Sequence, residues 1–126
     1  MNLHYLTTEE ERAIKANIPW EFVDQRALEL VRVANKIEGV ATVQSCAGHI
    51  SPTDEGFYIR SASLAFRLSE ARTHQILFNA APSVGITDIE IRYFEDGTFW
   101  LNLIVHPTEH FKFFELFEAL SVEVVH

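Results

Sequence analysis

Cysteine, long apolar runs and basic residues are all scarce in this chain of 126 residues. Its single cysteine, Cys46, has no second thiol with which to form an internal disulfide, which is typical of a reducing, cytoplasmic setting. No apolar run approaches the roughly 18 residues of a membrane-spanning helix. The start, Met1–Tyr5, shows no basic segment followed by an apolar stretch, so no secretory signal is expected. We therefore expect a cytoplasmic protein with no membrane partner.

The shortage of basic residues bears on the class of partner. Ten lysines and arginines stand against eighteen aspartates and glutamates, for a formal net charge of −8. Such a surface repels nucleic-acid phosphates at long range, so a nucleic-acid partner is not expected. The apolar share is 48%, with ten phenylalanines, and no linker or low-complexity tract interrupts the chain. These features predict a single globular domain over residues 1–126.

Four segments carry the caps and the apolar periodicity of helices. A capping box at Thr7 begins the first, and Pro19 suits the first turn of the second. In the second segment apolar residues recur at steps of three and four as far as Gly39, which predicts one unbroken helix. The predicted helices cover residues 7–17, 19–37, 70–81 and 107 onward.

Strand signals lie between these helices. Val40–Cys46 is short and β-branched, and residues 47–56 have the composition of a loop. Phe57–Phe66 then resumes as a strand, with a bulge expected near Ser61.

A second pair of strands spans residues 88–105. A three-residue loop with a left-handed Gly97 pairs Phe94 with Thr98 and places the apolar positions of both strands on one face. The opposite face then carries the polar and aromatic positions Glu90, Arg92, Trp100, Asn102 and His106. The order of elements predicts an α+β fold of two layers, a mainly antiparallel sheet with helices packed on one face, built from loosely repeated helix–strand–strand units.

The segment Ser45-Cys46-Ala47-Gly48-His49 concentrates the chemistry of the chain at a strand end. Cys46 and His49 are the candidate catalytic residues, with the imidazole as base or as the charge that activates the thiol. Ser45 and Gly48 are candidate ligand-binding residues, since a hydroxyl and a glycine backbone can meet a carboxylate or phosphate closely. The structural alternative is that Cys46 is simply a small buried hydrophobe.

The uncovered sheet face supplies three further ligand-binding candidates: Arg60, Arg92 and Trp100 offer charge and a stacking plane. The alternative is that Arg92 and Trp100 only cover apolar surface as a cross-strand pair. A zinc site is another alternative for the cluster. Its thiolate and imidazoles would come from Cys46, His49, His106 and His110.

Phenylalanines in the last predicted helix suggest a contact between copies. Phe111 and Phe113 cannot both face the side taken by Phe114 and Phe117. One of them is therefore expected to be exposed or to lie in a homodimer contact.

Residues 35–50 read Asn-Lys-Ile-Glu-Gly-Val-Ala-Thr-Val-Gln-Ser-Cys-Ala-Gly-His-Ile. This segment resembles the signature of the wybutosine-synthesis methyltransferase family, whose members modify a tricyclic guanine in phenylalanine tRNA with S-adenosylmethionine. In that family a helix ending in Asn leads into a strand and then Ser-Cys-Ser-Gly-Arg-Ile. Ala47 is a small replacement, and His49 stands where the family usually has Arg. The matching positions are Asn35, Thr42, Ser45, Cys46, Gly48 and Ile50.

The resemblance implies a mixed α/β build, a site at residues 45–49 and S-adenosylmethionine-dependent transfer with His49 as the candidate acid or base. The sequence as a whole predicts a small domain that binds a small ligand at this loop. Two alternatives remain open: a non-enzymatic structural or interaction protein, dimeric through its exposed phenylalanines, and the zinc protein described above.

Overall fold

The computed structural model describes residues 2–125, which form two sheets and four α-helices. Apart from an additional strand at residues 49–53, the elements follow one another in the predicted order. In chain order they are α1 (Thr8–Ala16), α2 (Leu28–Asn35), β1 (Val40–Cys46), β2 (His49–Thr53), β3 (Gly56–Arg60), β4 (Ala62–Leu68), α3 (Ala71–Ser83), β5 (Asp88–Tyr93), β6 (Phe99–Val105) and α4 (Phe111–Val125).

A four-stranded antiparallel sheet in the order β1-β4-β6-β5 forms one layer of the fold. Alternate side chains of β4 and β6, such as Phe66 and Leu101, are fully buried on one face. Helices α2, α3 and α4 contribute to the same core, with Phe113 and Phe117 of α4 among its largest members. The α+β fold class is confirmed. No helix within residues 2–125 is long and apolar enough to cross a membrane.

The hairpin of β5 and β6 has the predicted register. The Phe94 amide donates to the Thr98 carbonyl at 2.9 Å, and Gly97 is left-handed with φ +88°. Ile91 pairs with Leu101, whereas Arg92 pairs with Trp100 on the other face. The demand for one buried face therefore selects the three-residue loop, because a two-residue turn would bury the arginine.

The prediction of one unbroken helix over residues 19–37 is wrong. A short 3-10 turn, Trp20–Phe22, is followed by extended backbone at Val23, and α2 begins only at Leu28. The Asp24 carboxylate accepts the Arg26 amide at 2.9 Å, so a side chain takes the N–H that a continuing helix would have used. The last helix also begins later than predicted, at Phe111 instead of residue 107.

The prediction of a loop over residues 47–56 is wrong in part. Residues 49–53 form β2, which pairs with β3 as a separate two-stranded sheet closed by a turn at Asp54 and Glu55. The predicted strand over residues 57–66 is interrupted at Ser61, near the expected bulge, where the chain leaves β3 and enters β4. Both departures have one cause: the hairpin pairs within itself and is not part of the larger sheet.

Helix α1 lies beside β1 and is tied to the chain that precedes this strand. It begins with the predicted capping box at Thr7, whose hydroxyl accepts the Glu10 amide at 3.1 Å. The Lys15 ammonium donates to the Ile37 carbonyl at 3.0 Å, and the Gly39 amide donates to the Glu11 carboxylate at 3.0 Å. Since α1 buries no residue of its own, these polar contacts hold it against the sheet edge.

The Glu10 carboxylate gives a pH-dependent test of the contacts at the start of α1. A hydrogen bond from His4 at 2.9 Å, followed by the Thr7 amide, lowers the pKa of Glu10 from 4.5 to about 2. The stabilisation from a depressed carboxyl pKa is complete above pH 4.5 and is lost as the pH falls toward 2. An NMR titration should give this pKa of about 2, and His4→Ala should raise it. A value that His4→Ala leaves unchanged would contradict the contact.

Candidate functional site

A cleft of about 510 Å³ lies between the Ile18–Asp24 segment and strand β1. Its size is in the range of small-molecule sites. Apolar side chains make up most of the wall, and polar groups stand among them along β1 and at the ends of the Ile18–Asp24 segment. The lining residues are Ile14, Asn17, Ile18, Pro19, Phe22, Val23, Asp24, Val31, Thr42, Val43, Gln44, Ser45, Cys46 and Ala47.

The cleft exists because β1 is an edge strand. It pairs with β4 on one side only, so residues 42–47 line the cleft consecutively. The Asn35 side chain at the end of α2 fixes this edge. Its Nδ2 donates to the Thr42 hydroxyl at 2.8 Å, and its Oδ1 accepts the Thr42 amide at 3.1 Å. A register shift between Thr42 and Gln44 then changes the direction in which the side chains of the following residues point.

Ser45 and Cys46, two of the predicted site residues, both line this cleft and are half-buried. In the sheet Ser45 pairs with Leu64 and Cys46 pairs with Ser63. Cys46 is a free thiol. A hydroxyl and a thiol are therefore presented side by side at the end of an edge strand.

Gly48, the third member of the cluster, is required to be glycine by the packing of the backbone around it. It is left-handed, with φ +71°, and an added Cβ would lie 2.6 Å from the Arg60 carbonyl and 2.8 Å from the Ala62 nitrogen. The group that approaches Gly48 closely is thus the backbone at the junction of β3 and β4. A ligand contact by Gly48 stays a prediction.

His49 and Arg60 lie outside the cleft lining. The prediction that Arg60 lies on the uncovered sheet face is wrong, because Arg60 belongs to the separate two-stranded sheet. His49 and Arg60 pair with each other across the β2–β3 hairpin, and the His49 ring lies 5.8 Å from the ring of Tyr58. His49 therefore does not share the cleft lining with Ser45 and Cys46, because it belongs to the β2–β3 hairpin.

Arg92 and Trp100 lie on the sheet face opposite the helices, in a second groove of about 260 Å³. The Arg92 guanidinium lies 5.6 Å from the Trp100 ring and 5.3 Å from the Phe94 ring. The predicted face and the predicted cross-strand pair are both present. Gln44 lines this groove and the cleft beside β1, so the two meet at the sheet edge.

The four residues of the zinc alternative are not brought together. The His106 ring accepts the Thr108 amide at 3.2 Å, and the His110 ring donates to the Ala47 carbonyl at 2.7 Å. Among residues 2–125 no group of three or more histidine, cysteine, aspartate or glutamate side chains is placed to hold a metal ion. His110 instead braces the turn that follows Cys46, a role that the zinc interpretation did not foresee.

An ion pair beside the cluster was not predicted. The Arg26 guanidinium donates to the Asp24 carboxylate at 3.0 Å. This hydrogen bond lowers the pKa of Asp24, with a smaller contribution from the charge of His110. The same bond raises the pKa of Arg26, and the charge of Cys46 adds slightly. Both side chains are exposed, and Asp24 lines the cleft.

Sequence reasoning missed Asp24, Arg26 and the roles of Asn35 and His110. The first two were placed inside an unbroken helix because the apolar stripe runs through them. The available signal was an aspartate two residues before an exposed arginine, a common start for a local turn. The contact between His110 and Ala47 joins residues 63 positions apart and has no local signal.

Comparisons with known proteins relate the chain to one solved fold. No protein-family model matches the sequence, and no curated protein matches it. The structure is similar to that of the PH1069 protein from Pyrococcus horikoshii, with a TM-score of 0.60 and 16% sequence identity. The similarity covers 93% of this chain and 91% of that chain. At this identity the similarity shows a shared fold.

Gly48→Ala tests the architectural role of this glycine against Gly56→Ala. Both positions have positive φ, but only Gly48 would place its Cβ against backbone, whereas Gly56 has open space within 4 Å. We expect Gly48→Ala to cost about 2–5 kcal/mol and Gly56→Ala about 1–3 kcal/mol of unfolding free energy. Urea denaturation measures both, and equal losses would contradict the backbone contact.

Asn35→Ala should destabilise the cleft wall. It removes both hydrogen bonds to Thr42 and leaves a main-chain N–H of β1 without its partner, for a loss of about 2–3 kcal/mol. Asn79→Ala, at an exposed position of α3, is the matched control and should change stability by less than about 0.5 kcal/mol. Urea denaturation of the two variants decides this, and a neutral Asn35→Ala would show that the edge is held by other contacts.

Proposed function

We propose that the cleft beside β1 binds a small amphipathic molecule, with S-adenosylmethionine as the first candidate. The observation that carries this proposal is that Ser45 and Cys46 both line one mostly apolar cleft, with a volume of about 510 Å³. The resemblance of residues 35–50 to the wybutosine-synthesis methyltransferases supports the choice of ligand. The free Cys46 thiol is in keeping with a cytoplasmic setting.

The residues of the cleft fit the chemistry of that cofactor. Ile18, Phe22 and Val43 supply apolar surface for a planar base. The Asp24 carboxylate lines the cleft and is ion-paired with the exposed Arg26, and a ligand ammonium group could take the place of that guanidinium. The Ser45 hydroxyl can donate or accept within the cleft.

S-adenosylmethionine would supply an electrophilic methyl group, and the contribution of the chain is to bind and to orient. Cys46 is the candidate catalytic residue that lines the cleft. His49, as acid or base, rests on the resemblance, since its ring packs beside Tyr58 on the hairpin. Catalysis of this kind depends chiefly on holding two reactants in place.

The competing function is a protein-interaction module, and the β2–β3 hairpin favours it. All five residues of β3 are exposed, and Phe57 is 72% exposed with Ile59 at 50%. An apolar group of this kind on a projecting hairpin is typical of a contact with another protein. Ligand binding would use Phe22 in the cleft and protein interaction would use Phe57 on the hairpin, so variants of these residues can distinguish the two functions.

Calorimetric titration of S-adenosylmethionine into the protein tests the proposal, with Phe22→Ala and Phe57→Ala as matched variants. Both side chains are mostly exposed, at 83% and 72%, so neither truncation should unfold the domain. Only Phe22 lines the cleft. We expect Phe22→Ala to weaken binding about tenfold, or about 1.4 kcal/mol, and Phe57→Ala to leave it unchanged.

Either of two results would overturn the proposal. The first is that titration of the wild-type protein at high concentration gives no heat. The second is that Phe22→Ala and Phe57→Ala weaken binding equally. The first result would mean that the resemblance of residues 35–50 to the methyltransferases does not extend to the cofactor. The β2–β3 hairpin would then become the leading candidate for a functional surface.

A further inference from the structure

Strand β5 ends the four-stranded sheet, and within residues 2–125 it pairs only with β6. The Phe94 amide and carbonyl both bond to the hairpin loop, to Thr98 at 2.9 Å and to Gly97 at 3.0 Å. Main-chain groups alternate sides along an antiparallel strand, so those of Ile89, Ile91 and Tyr93 point outward. Three outward residues with free N–H and C=O groups form a template for another strand.

The two faces of this free edge differ in chemistry. Glu90 and Arg92 lie on the face away from the helices, and both are exposed. Ile89 and Ile91 lie on the helix face, half-buried, and Tyr93 beside them is 52% exposed. A partner strand must therefore match two opposite charges on one face and apolar groups on the other.

A second copy of β5 meets this requirement in one register. Antiparallel pairing that keeps outward groups opposite each other can be centred on any residue of β5, but centring on its first or last residue leaves almost no overlap. Centring on Ile89 places Asp88 opposite the partner's Glu90, and these like charges are unfavourable. Centring on Glu90 or on Arg92 places that residue against its own copy, and like charges directly opposite are unfavourable. Centring on Ile91 places Glu90 opposite the partner's Arg92, and by symmetry Arg92 opposite the partner's Glu90.

We propose that this protein forms a twofold-symmetric homodimer by antiparallel pairing of β5 with the β5 strand of a second copy, centred on Ile91. Ile91 exchanges main-chain hydrogen bonds with the partner's Ile91, and Ile89 exchanges them with the partner's Tyr93. The two sheets become one sheet of eight strands. Tyr93 gains cover on the helix face, where it is exposed in one copy.

The dimer also completes the groove on the uncovered sheet face. Glu90 and Arg92 both line that groove beside Trp100. In the proposed register the partner's Arg92 stands next to Glu90, so each copy adds a charged wall to the other's groove. This inference is independent of the ligand proposed for the cleft, which lies at the opposite edge of the sheet.

Charge exchange across the symmetry axis tests the register. The variants are Glu90→Arg, Arg92→Glu and the double variant, with Glu55→Arg in the exposed β2–β3 turn as a control of equal charge change. Light scattering and sedimentation velocity over a hundredfold range of concentration give the mass relative to the 14.4 kDa of one chain. Circular dichroism is used to check that each variant is folded.

Each single reversal places like charges opposite each other, and we expect it to weaken the dimer at least about tenfold. The double variant restores two opposite-charge pairs, so its dimer affinity should return to within about threefold of the wild type. Glu55→Arg should have no effect. A wild-type protein that stays monomeric throughout, or a dimer indifferent to the single reversals, would overturn the proposal. In the second case Phe57→Ala identifies a dimer formed through the hairpin.

Discussion

Burial of one face of β4 and β6 beneath three helices is the constraint on which the rest of this structure depends. Phe66 and Leu101 must face the helices, and this requirement fixes the register of the sheet. Because successive side chains of a β-strand point to opposite faces, Arg92 and Trp100 then lie on the other face. The groove on that face follows from the packing of the core beneath it.

Sequence reasoning succeeded where hydrophobic alternation decided the outcome. The hairpin around Gly97 was predicted in its register because only one loop length buries Ile89, Ile91 and Tyr93 on the side of Leu101. Phe111, one of the phenylalanines expected to be left over on α4, is 54% exposed. In both cases a strong local pattern agreed with the demands of the core.

The failures occurred where a side chain or a distant backbone competed with the local pattern. The apolar stripe continues through Asp24, yet the Asp24 carboxylate accepts the Arg26 amide, and residues 23–27 form no helix. At the candidate site, Ser45 and Cys46 line one cleft, whereas His49 belongs to a hairpin whose Ser51 and Pro52 carry no strand signal. The bond between His110 and Ala47 depends on where two remote elements pack, which no sequence window contains. Asn35, Thr42 and Gly48 each have an architectural role, so much of the segment from 35 to 50 encodes how β1 is held.

The closure at Gly48 has a consequence for how the molecule unfolds. The backbone of Gly48 touches that of Arg60 to Ala62, so the hairpin leaves and rejoins the body of the protein at almost the same point. Its strands pair with each other, and neither belongs to the four-stranded sheet. We therefore expect the hairpin to open locally at a lower free energy than the four-stranded sheet. Its amide hydrogens should exchange through that local opening, and protease cleavage near Glu55 should leave the four-stranded sheet intact.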